Sequence, residues 1–222
     1  VRQTIAQVDY AKIIAYGPTR NPPKSFNKFP KNTVIQIVGA SPELLAEWNK
    51  LEVPGGYTTF TTGYGPYHLS AFTPKITPRK TESFALMFYT NRFQGFFMDG
   101  GYQSFGLMGL EGPAYYVYGR ILDDPATNRA LDLVNEFYSS AFRETSPWMN
   151  IFFNTLYHRL ELFSAGTTYI DLEGKSRQVL TDPIHYLGCI YTPDIISTLD
   201  NILSQAENKT RSDKVRRRVA QE

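Results

Sequence analysis

The chain reads as an α/β protein: parallel strands joined by crossover connections over residues 1–105, then a helical domain over 106–222. Three observations predict this. Short apolar, β-branched runs alternate with helical patterns through the first hundred residues, an order that implies parallel strands. Those runs are nearly continuous in apolar character, as in strands covered on both faces. Beyond about residue 105 the apolar spacing changes to a period of 3.6, with proline at the helix starts.

In chain order, Ala11–Tyr16 forms a first buried strand. It runs into Gly17-Pro18-Thr19-Arg20-Asn21-Pro22-Pro23, where proline lacks the donor a ladder needs. Thr33–Val38 is a second strand, ended by Gly39-Ala40. Ser41-Pro42-Glu43 opens a helix: a hydroxyl cap, proline at the first helical position, and an acid that complements the macrodipole. Leu44, Leu45 and Trp48 form its apolar face, and Pro54-Gly55-Gly56 stops it. Tyr57–Thr62 is a third strand and leads to the loop Gly63-Tyr64-Gly65-Pro66-Tyr67-His68. A helix from Pro78 to about Arg92 turns Phe84, Met87 and Phe88 inward. Gly95–Met98 is a fourth strand, ending at Asp99-Gly100-Gly101. Helices follow at 110–122, 126–142 and 146–164, then a hairpin or extended loop at 166–176. A further helix begins at Thr192-Pro193-Asp194, and a charged helix or frayed tail runs from Ser212.

Composition narrows the function classes. The 222 residues are 42% hydrophobic and 20% charged, with 23 basic and 21 acidic side chains and a net charge of +2. That balance points to neither nucleic acid nor an anionic membrane. No apolar run approaches the roughly 18 residues of a membrane span. One cysteine, Cys189, builds no internal disulfide or zinc cage; its apolar setting reads as a small buried side chain. Aromatic residues make up 14%, and such rings fill cores and also stack on sugars and bases. Nucleotide, dinucleotide and serine-hydrolase motifs are absent.

In parallel α/β architectures ligands gather at the carboxyl ends of the strands. The first strand end offers Tyr16, Arg20 and Asn21. The third offers Tyr64, Tyr67 and His68, and the fourth Asp99 and Tyr102. Asp99 ends an apolar strand before two glycines. It reads either as an acid/base or sugar-hydroxyl acceptor or as a turn cap. His158 and His185 lie in helical segments without partners at metal spacing and read as structural, so no metal site is expected. Glu111 and Glu161 read as solvated or helix-terminal charges. The cluster Lys214-Val215-Arg216-Arg217-Arg218 reads as a solvated helix end.

The order Ile14-Ala15-Tyr16, Asn21-Pro22-Pro23, Asn32–Ile35, Glu47–Leu51, Gly95-Phe96-Phe97, Tyr118–Pro125 and Tyr191-Thr192-Pro193 resembles a domain-of-unknown-function family of bacterial glycoside-hydrolase-like proteins. That family is related in outline to alpha-glucuronidases and beta-hexosaminidases. The resemblance spans about residues 11–220. It implies the carboxyl-terminal half of a (β/α)8 barrel, its last four strands, followed by an all-helical domain, with earlier strands and the general acid preceding Val1. The family often carries glutamate where Asp99 stands, a shorter carboxylate at a tolerant place. On this reading the chain is part of a secreted (extracellular or periplasmic) glycoside hydrolase acting on a polysaccharide or glycan without a cofactor. Asp99 is the catalytic candidate, with Tyr16, Arg20, Tyr64, Tyr67, His68 and Tyr102 binding substrate. The alternatives are a non-catalytic carbohydrate-binding protein, or a helical assembly module that pairs copies through Trp148, Phe152, Phe153 and Tyr157.

Overall fold

The computed structural model describes residues 11–62, 73–74, 76–99, 109–163, 167–180 and 182–220. Four strands, β1 (Ala11–Ala15), β2 (Thr33–Val38), β3 (Tyr57–Thr62) and β4 (Phe93–Asp99), form one parallel sheet in the order β1-β2-β3-β4. Helix α1 (Pro42–Trp48) connects β2 to β3, and α2 (Pro78–Thr90) lies between β3 and β4. Then come α3 (Gly112–Asp123), α4 (Ala130–Phe142), α5 (Ser146–Leu162), a small hairpin β5 (Thr168–Ile170) and β6 (Ser176–Gln178), α6 (Pro183–Ile190), α7 (Pro193–Lys209) and α8 (Asp213–Val219). Residues 11–62 and 86–99 group into one compact unit, and residues 73–85 and 109–220 into a second. The second unit therefore takes in residues 73–85, well before residue 105.

In the first unit, α1 starts where its cap chemistry places it. Ser41 Oγ accepts the Leu44 peptide N–H at 3.3 Å, and Pro42 occupies the first turn. The helix buries Leu44, Leu45 and Trp48. Trp48 meets Tyr57 edge-on at 6.4 Å, and the Tyr57 hydroxyl donates to the Trp48 carbonyl at 2.8 Å. Trp48 Nε1 reaches back to the Arg20 carbonyl at 2.9 Å, which pins the loop after β1.

Register and alternation sort the sheet into two faces. Ile35 pairs with Tyr57 and Tyr57 with Phe93; Ile37 pairs with Thr59 and Thr59 with Phe96. This face meets the helices, because Trp48 packs on Tyr57 while Phe88 of α2 lies 5.1 Å from Phe93 and 6.2 Å from Phe96. An irregularity where β3 passes from Tyr57 to Thr58 matches Tyr57 to Phe93 but Thr58 to Gly95. The extra residue in β4 brings both Phe93 and Phe96 toward Phe88. The opposite face carries Ile14, Gln36 and Thr58 in one row and Val38, Phe60 and Phe97 in the next. Phe60 and Phe97 stack there at 4.9 Å. Ile14 is 54% exposed and Phe97 52%. Ile14 and Phe97 on this face are thus half-exposed although Gln36 beside Ile14 is buried; apolar runs read alike whether the second face is packed or open.

The second unit is built around aromatic rings. Tyr138, Phe142 and Phe153 are almost fully buried, and Tyr138 stacks on Phe153 at 5.4 Å. Val117, Ile121, Leu199, Ile202, Val215 and Val219 close the core around them. Phe152, Phe153 and Tyr157 are buried here, and Trp148 packs against the same core while its Nε1 donates to Gln205 at 3.2 Å. The rings that suggest assembly are therefore spent on internal packing. The basic tail is a docked helix: Val215 and Val219 face the core, and Arg218 donates to the Ala141 carbonyl at 2.7 Å.

Several expectations need correction. Pro125 does not start a helix; Asp124 Oδ1 accepts the Ala126 and Thr127 N–H groups in a turn, and α4 begins at Ala130. Glu111 is helix-terminal, the residue before α3, as one of its two readings has it, but at 5% exposure it is not solvated. The hairpin β5–β6 is one of the two forms expected near 166–176, so the later unit is not all-helical. Helix α6 has no counterpart in the sequence reading, although Asp182-Pro183 repeats the cap logic of Ser41-Pro42, with Asp182 Oδ1 accepting the His185 N–H at 2.9 Å.

Candidate functional site

Parallel pairing in sequential order brings the carboxyl ends of all four strands to one edge of the sheet. Ala15 pairs with Ile37, Val38 with Phe60, and Thr62 with Asp99. Tyr16 follows β1 in extended conformation and is 66% exposed. Its backbone is held by Thr19, whose hydroxyl donates to the Tyr16 carbonyl at 2.9 Å and accepts the Tyr16 N–H at 3.4 Å. The phenol is therefore presented on a fixed backbone rather than on a free loop. Arg20 donates through Nη2 to the Gly39 carbonyl at 2.9 Å. That bond ties the end of β1 to the end of β2 and takes up one of the guanidinium's five donors.

Asp99 is the last residue of β4 and the register partner of Thr62. Strands lie about 4.8 Å apart, so three spacings separate the β1 and β4 ends by about 14 Å. Tyr16 and Asp99 therefore stand at opposite ends of this edge of the sheet. Tyr64, Tyr67, His68 and Tyr102 lie outside the described residues. The structure thus brings Tyr16, Arg20 and Asp99 to one edge.

Sequence reasoning missed the stacked pair Phe60–Phe97, two residues before the β3 and β4 ends. Its signal was present: the position of Phe97 in the alternation puts it on the face opposite Phe96. Which face the helices cover is a tertiary fact, however, and the pair reads as core until that is known.

In the second unit, His185 Nε2 lies 3.6 Å from Cys189 Sγ across one turn of α6, and the Tyr169 hydroxyl 3.8 Å on another side. Contact with the thiol raises the Tyr169 pKa. Cys189 is buried among Val179, Tyr186 and Ile190, as expected of a small core side chain. Among the described residues no cluster of His, Cys, Asp and Glu is arranged to hold a metal ion, and no helix is long and apolar enough to cross a membrane.

The chain matches no protein family, no curated protein and no solved structure. The class that fold and site define is therefore a parallel α/β protein with an exposed aromatic and a carboxylate at its strand ends.

Proposed function

We propose that this chain is the carboxyl-terminal part of a carbohydrate-active protein, a glycoside hydrolase when complete, whose sugar site lies at the carboxyl ends of β1–β4. The observation that carries this reading is the one-sided, sequential sheet. Strand order β1-β2-β3-β4 has no reversal, and both connecting helices pack on the same face. A doubly wound sheet reverses its order and places helices on both faces; an arc of a (β/α)8 barrel does neither. The face away from the helices then corresponds to a barrel interior. Its apolar Ile14 and Phe97, and the Thr58 hydroxyl buried there without a hydrogen-bond partner among the described residues, fit a surface that further strands would cover.

At the strand ends, Tyr16 supplies an exposed ring for stacking and Asp99 a carboxylate for hydroxyl binding or acid/base work. The separation of about 14 Å across four strands favours an oligosaccharide over a single sugar. Secretion belongs to the same proposal.

Thermal unfolding with a panel of neutral sugars and uronic acids tests the reading. At a ligand concentration 100 times Kd, native-state binding stabilises by about 2.7 kcal/mol, or a rise in Tm of about 5–10 °C for a chain of this size. Asp99→Asn should abolish that shift, and turnover in the complete protein should fall with it. Unchanged affinity and unchanged turnover in Asp99→Asn would remove the assignment. Retained sugar affinity with no turnover would favour the non-catalytic alternative.

A further inference from the structure

A cleft of about 460 Å³ opens within the second unit between α2, α4 and α5. Its floor is apolar: Pro78, Ala130, Val134 and the ring of Tyr157 are all buried. Tyr157 is held in place by Phe153, stacked at 5.9 Å. Asn154, His158 and Glu161 recur along α5 at spacings of four and three, so they share one helix face. Arg79 and Glu82 approach from α2. The size and the apolar floor with a few convergent polar groups are those of a small-molecule site.

The rim chemistry selects among ligands. The Arg79 guanidinium and the His158 ring have no side-chain partner among the described residues. Asn154 donates its amide to Asn150 at 2.5 Å, which leaves its carbonyl oxygen to accept. Glu161 takes the Thr77 hydroxyl on one oxygen at 3.1 Å, with the other oxygen available. Glu82 faces Arg129 only at 3.9 Å, too far for a direct hydrogen bond. Donors and acceptors therefore share the rim. Two carboxylates oppose an anion, and a guanidinium opposes a cation. Hydroxyl groups, each both donor and acceptor, satisfy such a mixed set, and the C–H face of a sugar ring suits the floor.

We propose that this cleft is a second saccharide-binding site, specific for a neutral pyranose, separate from the strand ends. The choice of sugar over other polyols rests on the carbohydrate reading above. The test is a heteronuclear NMR titration of the isotope-labelled 222-residue chain with the methyl glycosides of glucose, galactose and mannose, and with glucuronate. A neutral glycoside should shift the resonances of Arg79, Leu131, Asn154 and His158 together. His158→Ala and Glu161→Gln, both at exposed positions, should each weaken that binding about 3- to 10-fold, the value of a hydrogen bond or two. Asp99→Asn should leave it unchanged. Shifts at Tyr16 and the strand ends without shifts in the cleft would overturn this inference and leave the strand-end site standing. Shifts in the cleft alone would support it and count against the strand-end site. Glucuronate binding the cleft more tightly than the neutral glycosides would overturn the neutral class, and no shifts with any sugar would overturn both.

Discussion

Single residues decide more here than their exposure suggests. Glu136 accepts from the Tyr116 hydroxyl at 2.6 Å and from Arg120 at 2.9 Å, while Arg120 also donates to Tyr116 at 2.7 Å. These bonds favour the carboxylate and hold its pKa below the ordinary value. A lowered native pKa contributes stability that is present above the unfolded value and lost as pH falls through the native one. Glu136→Gln should therefore lower Tm at pH 7, and its deficit relative to the parent should shrink as pH drops below about 4. Melts recorded across pH 2.5–7 check this; a deficit constant with pH would mean the triad acts through shape alone. Gly55 is a second such residue. A Cβ there would stand 2.2 Å from the Thr33 carbonyl oxygen, a backbone atom at the start of β2. Gly55→Ala should cost about 3 kcal/mol, the upper end of overpacking effects, read as a lowered denaturant midpoint. Pro54-Gly55-Gly56 was legible as a break, but α1 already ends at Trp48; the reason glycine is needed at 55 was not legible, because Thr33 is distant in the chain.

Elements were legible where local chemistry terminates them. Ser41-Pro42 predicts α1, and the structure supplies the cap bond. Ser41→Ala should destabilise by about 1 kcal/mol and Ser41→Gly by only a few tenths of a kcal/mol; equal stability of Ser41→Ala and the parent in urea would show that the cap contributes nothing. Helix α6 shows the limit. Its Asp182-Pro183 start is the same signal and went unread, although α6 with eight residues is no shorter than α1 with seven. At α4 the error runs the other way. Proline favours both a helix start and a turn, and the Asp124 carboxylate commits Pro125 to the turn through two backbone N–H bonds. The bulge in β4 was not legible either, since Gln94-Gly95 resembles any polar break until the register with β3 is known.

For the molecule as a whole, the half-exposed apolar side chains on the sheet face away from the helices are the consequential feature. Large exposed apolar surfaces on a folded protein mark a contact with something else. The face bearing Ile14, Phe60 and Phe97 should bind a hydrophobic dye such as anilinonaphthalene sulfonate in the native state. Phe97→Ser should reduce that fluorescence without loss of the far-ultraviolet dichroism. An unchanged signal would place the dye elsewhere and weaken the case for a covering strand. The four-stranded parallel sheet and the predominantly helical later half were both legible, because each depends on hydrophobic period and punctuation along the chain. The candidate site was legible only as strand ends: Tyr16, Arg20 and Asp99 share an edge, but that Arg20 is tied to Gly39 could not be read.

By itself the sequence determined the four strands and most of the helices, the parallel pairing and the strand-end placement of Tyr16 and Asp99. All of these follow from local hydrophobic spacing, caps and breakers, and from the crossover connections that successive strands require. Only the tertiary structure decided which face of the sheet meets the helices, that residues 73–85 belong with the later helices, and that Pro78, Val134, Tyr157 and Glu161 enclose one cleft. Those facts depend on contacts between residues tens of positions apart, for which a single sequence carries no local signal.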